Sequence, residues 1–188
     1  RAVLEHTPEI QDLVDNDPEP AGEKNDEVLA FRDVSFRFAD AEEDTLSHLD
    51  FVCRRGETTA IIGGTGSGKS PVASLILRFH DVTGGSVAMD GDDIRCMTQK
   101  HLRSRLAYVQ QKAWLFSGTI ADNLRYGNGE ATDEELMHAA DVAQAGDFIR
   151  ALPDGLASHV AQGGTNFSGG QKQRLSIARA LVKKPELY

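Results

Sequence analysis

Residues 63–70 read Gly63-Gly64-Thr65-Gly66-Ser67-Gly68-Lys69-Ser70, and no other stretch limits the possible folds as sharply. They match G-x-x-x-x-G-K-[ST] at every fixed position. The apolar run 58–62 precedes them, and Val72, Leu75, Ile76 and Phe79 follow at helical spacing. That order predicts a buried strand, a glycine-rich loop and an amphipathic helix. Glycines let successive N–H groups turn inward and form an anion-sized nest. The helix behind them points its unpaired N–H groups and positive dipole end at the same place. Lys69 is expected to act catalytically by reaching the β- and γ-phosphates of a nucleotide, and the Ser70 hydroxyl to ligate Mg²⁺. Pro71 is sterically tolerable in a first helical turn. It offers no N–H to an α-phosphate, however, and biases Ser70 away from helical angles, so it is expected to weaken nucleotide affinity.

Elsewhere the patterning alternates between two periods. Val34, Phe36 and Phe38 alternate with polar residues, as do Leu49, Phe51 and Cys53, and both stretches read as strands. Val87 and Met89 mark another strand after Gly84-Gly85. Thr132 with Glu135, and Ser168 with Gln171, are capping-box starts of helices carrying Leu136, Ala139, Ala140 and Ala143, and Leu175, Ala178 and Leu181. Strands alternating with helices predict an α/β fold with a mostly parallel sheet, and the early strands predict an antiparallel β flank.

The charge balance narrows the function. Among 188 residues, Lys plus Arg number 20 and Asp plus Glu 29, a formal net charge of −9 without a basic stripe, which argues against sequence-independent nucleic-acid binding. The excess of acid lies mainly in residues 1–27, which with Pro8, Pro18 and Pro20 read as a linker or a lightly docked tail. Cys53 and Cys96 lack metal or redox spacing, and the six histidines are scattered. Asp92-Asp93 reads as an exposed turn. No apolar run approaches the ~20 residues that cross a bilayer. The chain starts at Arg1 and stops within an apolar run, so both ends read as cut.

A second motif names a family. Asn166-Phe167-Ser168-Gly169-Gly170-Gln171, followed by Lys172-Gln173-Arg174-Leu175-Ser176-Ile177-Ala178-Arg179, places Ser168 and two glycines at another helix N-terminus, a further potential phosphate site. The run resembles the signature motif of ABC ATPases, with Phe167 where Leu is commoner, and the resemblance extends from about residue 28 to the end. It implies a P-loop NTPase core with a helical subdomain at about 118–168, preceded by a 1–27 linker following a membrane domain. Phe38 matches the aromatic that stacks on adenine. Gln111 matches the glutamine that touches Mg²⁺ and the attacking water. Residues 115–124 resemble a segment of multidrug and lipid exporters, whereas 159–165 depart from the acidic exporter form. Trp114, Leu115 and Phe116 either line a groove for the membrane domain or pack in the core.

In such proteins two ATPase domains face each other head to tail. Each ATP, with Mg²⁺, would lie between Lys69 and Ser70 of one and Ser168, Gly169, Gly170 and Gln171 of the other. The transmembrane domain would hold the pair at the cytoplasmic face of the cell membrane, and ATP hydrolysis would drive export. The family continues past the position of Tyr188 with the Walker B aspartate and the general-base glutamate. This 28–188 domain therefore reads as truncated, with its C-terminal part missing, an expected negligible ATPase activity and an open apolar sheet edge beside 58–62. A catalytically degenerate half of a heterodimeric exporter and a non-transport ABC ATPase stand as alternatives.

Overall fold

The computed structural model describes residues 10–15, 17, 26–64 and 68–188, which divide into two compact units, 1–104 and 105–188. In the first, β1 (Glu27–Phe36), β2 (Leu46–Arg54), β3 (Gly84–Met89) and β4 (Asp92–Asp93) form one sheet in the order β2-β1-β3-β4. Every neighbouring pair is antiparallel, so the predicted antiparallel flank is present. Central β1 buries four consecutive residues, Val28, Leu29, Ala30 and Phe31, because the sheet covers both its edges. Phe31 pairs with Phe51 on β2, their rings stacked at 4.5 Å. Helix α1 (Lys69–Ile76) buries Val72 and Leu75, and α2 (Gln99–Ser104) buries Leu102.

Three local expectations change. Residues 58–62 form no strand and are exposed, Ile62 by 93%, because no described strand lies alongside to pair with their backbone and cover their side chains. Phe79 lies past the end of α1 and is half exposed under the Arg103 guanidinium, 5.0 Å from its ring centre. Asp92 and Asp93 are a half-buried two-residue strand rather than an exposed turn. They pair with Ala88 and Met89, and Arg95 neutralises Asp93 at 2.6 Å.

The second unit is mainly helical: α3 (Ile120–Arg125), α4 (Asp133–Val142), α5 (Gly146–Ala151) and α6 (Gly169–Lys183). The short strands β5 (Gly118–Thr119) and β6 (His159–Val160) pair antiparallel. One parallel bridge, Leu106 to Leu187, is the sole parallel pairing among the described residues. Leu115, Ile120, Leu124, Leu136, Ile149, Val160 and Leu175 form its core. Leu115 is fully buried there, which settles it as core rather than groove. Buried Asn123 ties down the loop before α3: its amide accepts from Phe116 N at 2.8 Å and donates to Phe116 O and Thr119 O.

Both predicted capping boxes form, at Thr132 with Glu135 and at Ser168 with Gln171, and a third joins Thr119 to Asp122. The Thr119 N–H holds the Asp122 carboxylate below its ordinary value of 3.8. The Thr132 N–H and Lys184 hold Glu135 below 4.5. Folded values below unfolded ones mean that the caps stabilise fully above the unfolded values, and that this stabilisation is lost as pH falls through the folded ones. The urea midpoint is expected to hold from neutrality down to about pH 5 and then drop, and Asp122→Asn with Glu135→Gln should flatten that drop. Leu175→Ala, which removes a core side chain from α6, is expected to cost about 2–5 kcal/mol in the same titration.

Candidate phosphate-binding sites

Gly68 starts helix α1 from a left-handed conformation, φ 84°. A Cβ there would come within 2.6 Å of the tip of the Leu46 side chain on β2, which can shift, so it is the left-handed backbone angle that favours glycine. The first intrahelical bond of α1 runs from Val72 N to Gly68 O, 3.1 Å. The N–H groups of Lys69 and Ser70 precede it and so lie outside the helix ladder, at the end where an anion is favoured. Pro71 stands third in the helix, where no intrahelical donor is needed, and is accommodated without a break. The Lys69 ammonium folds back to donate to Gly63 O and, at 2.8 Å, to Gly64 O. Lys69 and Ser70 are exposed, as are Gly63 and Gly64, whereas Thr65, Gly66 and Ser67 lie outside the described residues.

In the same unit Phe38 follows β1 instead of belonging to it, and is 42% exposed. Its ring meets Phe36 edge-on at 4.7 Å and His80 at 5.4 Å. Phe36 also contacts His80, so two rings back the one that stands out. His80, just beyond α1, received no role in the sequence reading. Its one signal was its place after the helix that follows the phosphate loop.

In the second unit Ser168 caps α6. Its Oγ accepts from Gln171 N at 3.2 Å, and its own N–H donates to Gln171 Oε1 at 3.0 Å. The first intrahelical bond is Lys172 N to Ser168 O, 2.9 Å, which leaves the Gly169 and Gly170 N–H groups beyond the ladder. Ser168, Gly169 and Gly170 are exposed, and the space where a Gly169 side chain would stand is open. Upstream, Gly164 adopts φ 66°, and a Cβ would meet Leu115 and Lys172 within 3 Å, so the chain approaches the core closely before turning outward. Gln111 sits exposed in a loop, and its neighbour Gln110 accepts from Gln173 of α6 at 3.5 Å. The second unit thus brings the Gln110–Gln111 loop near the helix that carries the signature run.

The residues present fit an anion bound by amides. Two helix starts expose N–H groups, and glycines keep the approach open. The Ser70 hydroxyl in the first unit and, separately, the Gln111 amide in the second are hard oxygen donors of the kind a small oxygen-seeking cation takes. Among the described residues no group of three or more His, Cys, Asp or Glu side chains is placed to hold a metal, and no helix is long and apolar enough to cross a membrane.

A third surface in the second unit was only partly visible in the sequence. Phe116 packs against Tyr126 with tilted rings 4.8 Å apart, and Arg179 lies over Phe116 at 5.6 Å. Tyr126 is 73% exposed. These three residues, with Tyr108, Ala107 and Lys183, line an open hollow of about 250 Å³. Arg179 donates to Trp114 O at 3.0 Å. Its Nη1 and the Ser176 hydroxyl are buried and meet no hydrogen-bond partner among the described residues. Burial lowers the pKa of both Arg179 and Lys183 from their ordinary values.

Comparison with known proteins places this arrangement. A family model described as "ABC transporter" matches residues 46–188. An uncharacterized ABC transporter ATP-binding protein of Mycobacterium bovis is 47% identical over 164 residues, covering 86% of this chain and 28% of its own length. A β-(1→2)glucan export ATP-binding/permease protein of Rhizobium johnstonii is 40% identical over 189 residues, covering 97% of this chain and 32% of its own length. The structure of a bacterial Atm1-family ABC exporter with ATP bound superposes with a TM-score of 0.86 at 39% identity, over 98% of this chain and 31% of that one. The chain therefore spans about a third or less of the length of these relatives. With both glycine-opened helix starts in place, the α/β fold is that of a P-loop NTPase, and the chain belongs to the ABC transporter family.

Proposed function

We propose that this chain is the ATP-binding part of a membrane exporter. The carrying observation is the pair of exposed helix N-termini, α1 behind Gly68 and α6 behind Ser168, each with N–H groups outside its own ladder. Residues 63–70 cradle the phosphates, Lys69 leaves the Gly63 and Gly64 carbonyls to reach the β- and γ-phosphates, and Phe38 stacks on adenine. Ser70 and Gln111 hold Mg²⁺, which when bound offsets phosphate charge. Ser168, Gly169, Gly170 and Gln171 close on a nucleotide held by a second ATPase domain, arranged head to tail. The names of the relatives, an export ATP-binding/permease protein and an ABC exporter, support transport.

The hollow around Phe116, Tyr126 and Arg179 suits the transmembrane domain of the same transporter. A carbonyl or carboxylate oxygen there would satisfy Arg179 Nη1, while the aromatic rims bury apolar surface. Docked in this way, the domain would lie at the cytoplasmic face of the membrane. Residues 1–27 then act as the linker from the membrane domain, 28–188 as the ATPase domain, and about 118–168 as its helical subdomain.

Lys69→Ala is expected to weaken ATP binding to the chain about tenfold or more, since a hydrogen bond to a charged group is worth about 1.5–3 kcal/mol. Titration with a fluorescent ATP analogue measures this, and unchanged affinity would overturn the reading. A polypeptide limited to residues 1–188 is expected to release phosphate no faster than background, because the family resemblance puts the general base, typically worth about 10²–10⁴-fold in rate, after residue 188.

Pro71 favours a second reading, a nucleotide-binding half with weakened chemistry, because it removes one of the first-turn donors of α1. Pro71→Thr is expected to tighten ATP affinity about tenfold. No change in that titration would remove the support for this alternative.

A further inference from the structure

We infer that residues 10–15 and 17 form a strap that positions helix α1, and with it Lys69 and Ser70, through two arginines. This rests on the reading that α1 holds nucleotide phosphate.

Arg78 is the centre of the arrangement. It stands just past the end of α1, in a left-handed conformation of φ 51°, and its side chain is completely buried. A buried guanidinium is tolerated only when its donors are met. Nε donates to Asp81 Oδ1 at 2.9 Å and Nη1 to Met97 O at 3.3 Å. Nη2 donates to Gln11 O of the strap at 3.0 Å, and the Asp12 carboxylate lies 3.7 Å from Nη1. The strap thus supplies both an acceptor and a countercharge to a group on which the end of α1 is built.

Arg103 closes the same circuit from α2. Its Nε donates to Leu77 O at 3.0 Å and its Nη2 to Arg78 O at 3.1 Å. Leu77 is the C-cap of α1, with a carbonyl that the helix leaves unmet, and a cation there also suits the dipole. Helix α2 is held at its other end by the strap. Asp12 Oδ1 accepts from Gln99 N and Asp17 Oδ1 from Thr98 N, each at 2.9 Å. Gln99 in turn accepts from Arg103 Nη2 at 3.0 Å. The two aspartates reach across 87 and 81 residues of sequence, so these bonds tie an upstream segment to the phosphate helix and are not local turns. Displacing the strap removes the caps of α2 and one acceptor of Arg78 together, and α1 is the helix whose C-cap Arg103 grips and which Arg78 directly follows.

The test compares the full chain with Asp12→Ala/Asp17→Ala and with Asp12→Asn/Asp17→Asn, whose amide oxygens still accept. Val28→Ala, in β1, is the control for general loss of stability. Hydrogen exchange of residues 69–79 needs no nucleotide and reads the strap directly. It is expected to quicken in the alanine pair, to recover in the asparagine pair, and to change little in the control. Affinity for ATP and for pyrophosphate, measured well below the melting temperature, is expected to fall together about fivefold or more in the alanine pair alone. Faster exchange confined to residues 98–104, with 69–79 unchanged, would overturn the proposal by reducing the strap to a cap for α2. Faster exchange in 69–79 with unaltered affinity for both ligands would overturn the link to the phosphate loop. Failure of the phosphate-site reading itself appears separately, as undiminished ATP binding by Lys69→Ala.

Discussion

The left-handed turn at Gly68 is the constraint on which the rest of the candidate site depends. It starts α1 abruptly beside Leu46, with Lys69 and Ser70 of the first turn exposed. A side chain at this point would adopt an unfavourable backbone angle and press on the tip of Leu46. The helix start and the sheet are therefore set by one residue without a Cβ. Lys69 and Ser70 inherit their placement from that turn, as Pro71 inherits its harmless position in the ladder.

The second helix start reaches the same chemical end by other means. Ser168 uses its hydroxyl to satisfy Gln171 N, and Gln171 returns the bond to the Ser168 N–H, which holds the turn rigid without any ligand. The N–H groups of Gly169 and Gly170 remain outside the ladder, and the space beside Gly169 is open. A cap that is complete within the chain and still leaves donors over is pre-organised for an anion, because little ordering is left for binding to impose. The close approach of Gly164 to Leu115 anchors this turn to the helical core.

Elements governed by neighbours in sequence were the most legible. The Thr132–Glu135 and Ser168–Gln171 boxes depend on residues three apart, and both helices begin where those residues say. Strands β1 and β2 followed from alternation, although Phe38 fell outside β1, where it stands half exposed against Phe36 and His80. Residues 58–62 look like a buried strand in composition, yet burial requires a partner strand, and apolar composition alone does not provide one. Trp114, Leu115 and Phe116 are adjacent and similar in character, but only Leu115 enters the core, because the Asn123 amide holds Phe116 on the outer side of the turn.

The amino-acid order alone determined the two glycine-bearing helix starts, since their signals are spacing, capping chemistry and the absence of a Cβ, all local properties. What it could not convey was the partnering of distant groups. That the acids of the upstream segment meet Thr98, Gln99 and Arg78, or that Tyr126 and Arg179 frame Phe116, was decided only when the tertiary structure brought them together. A carboxylate or a guanidinium in a sequence carries a charge but no direction. Only burial and geometry select its partner among the many that charge alone would allow.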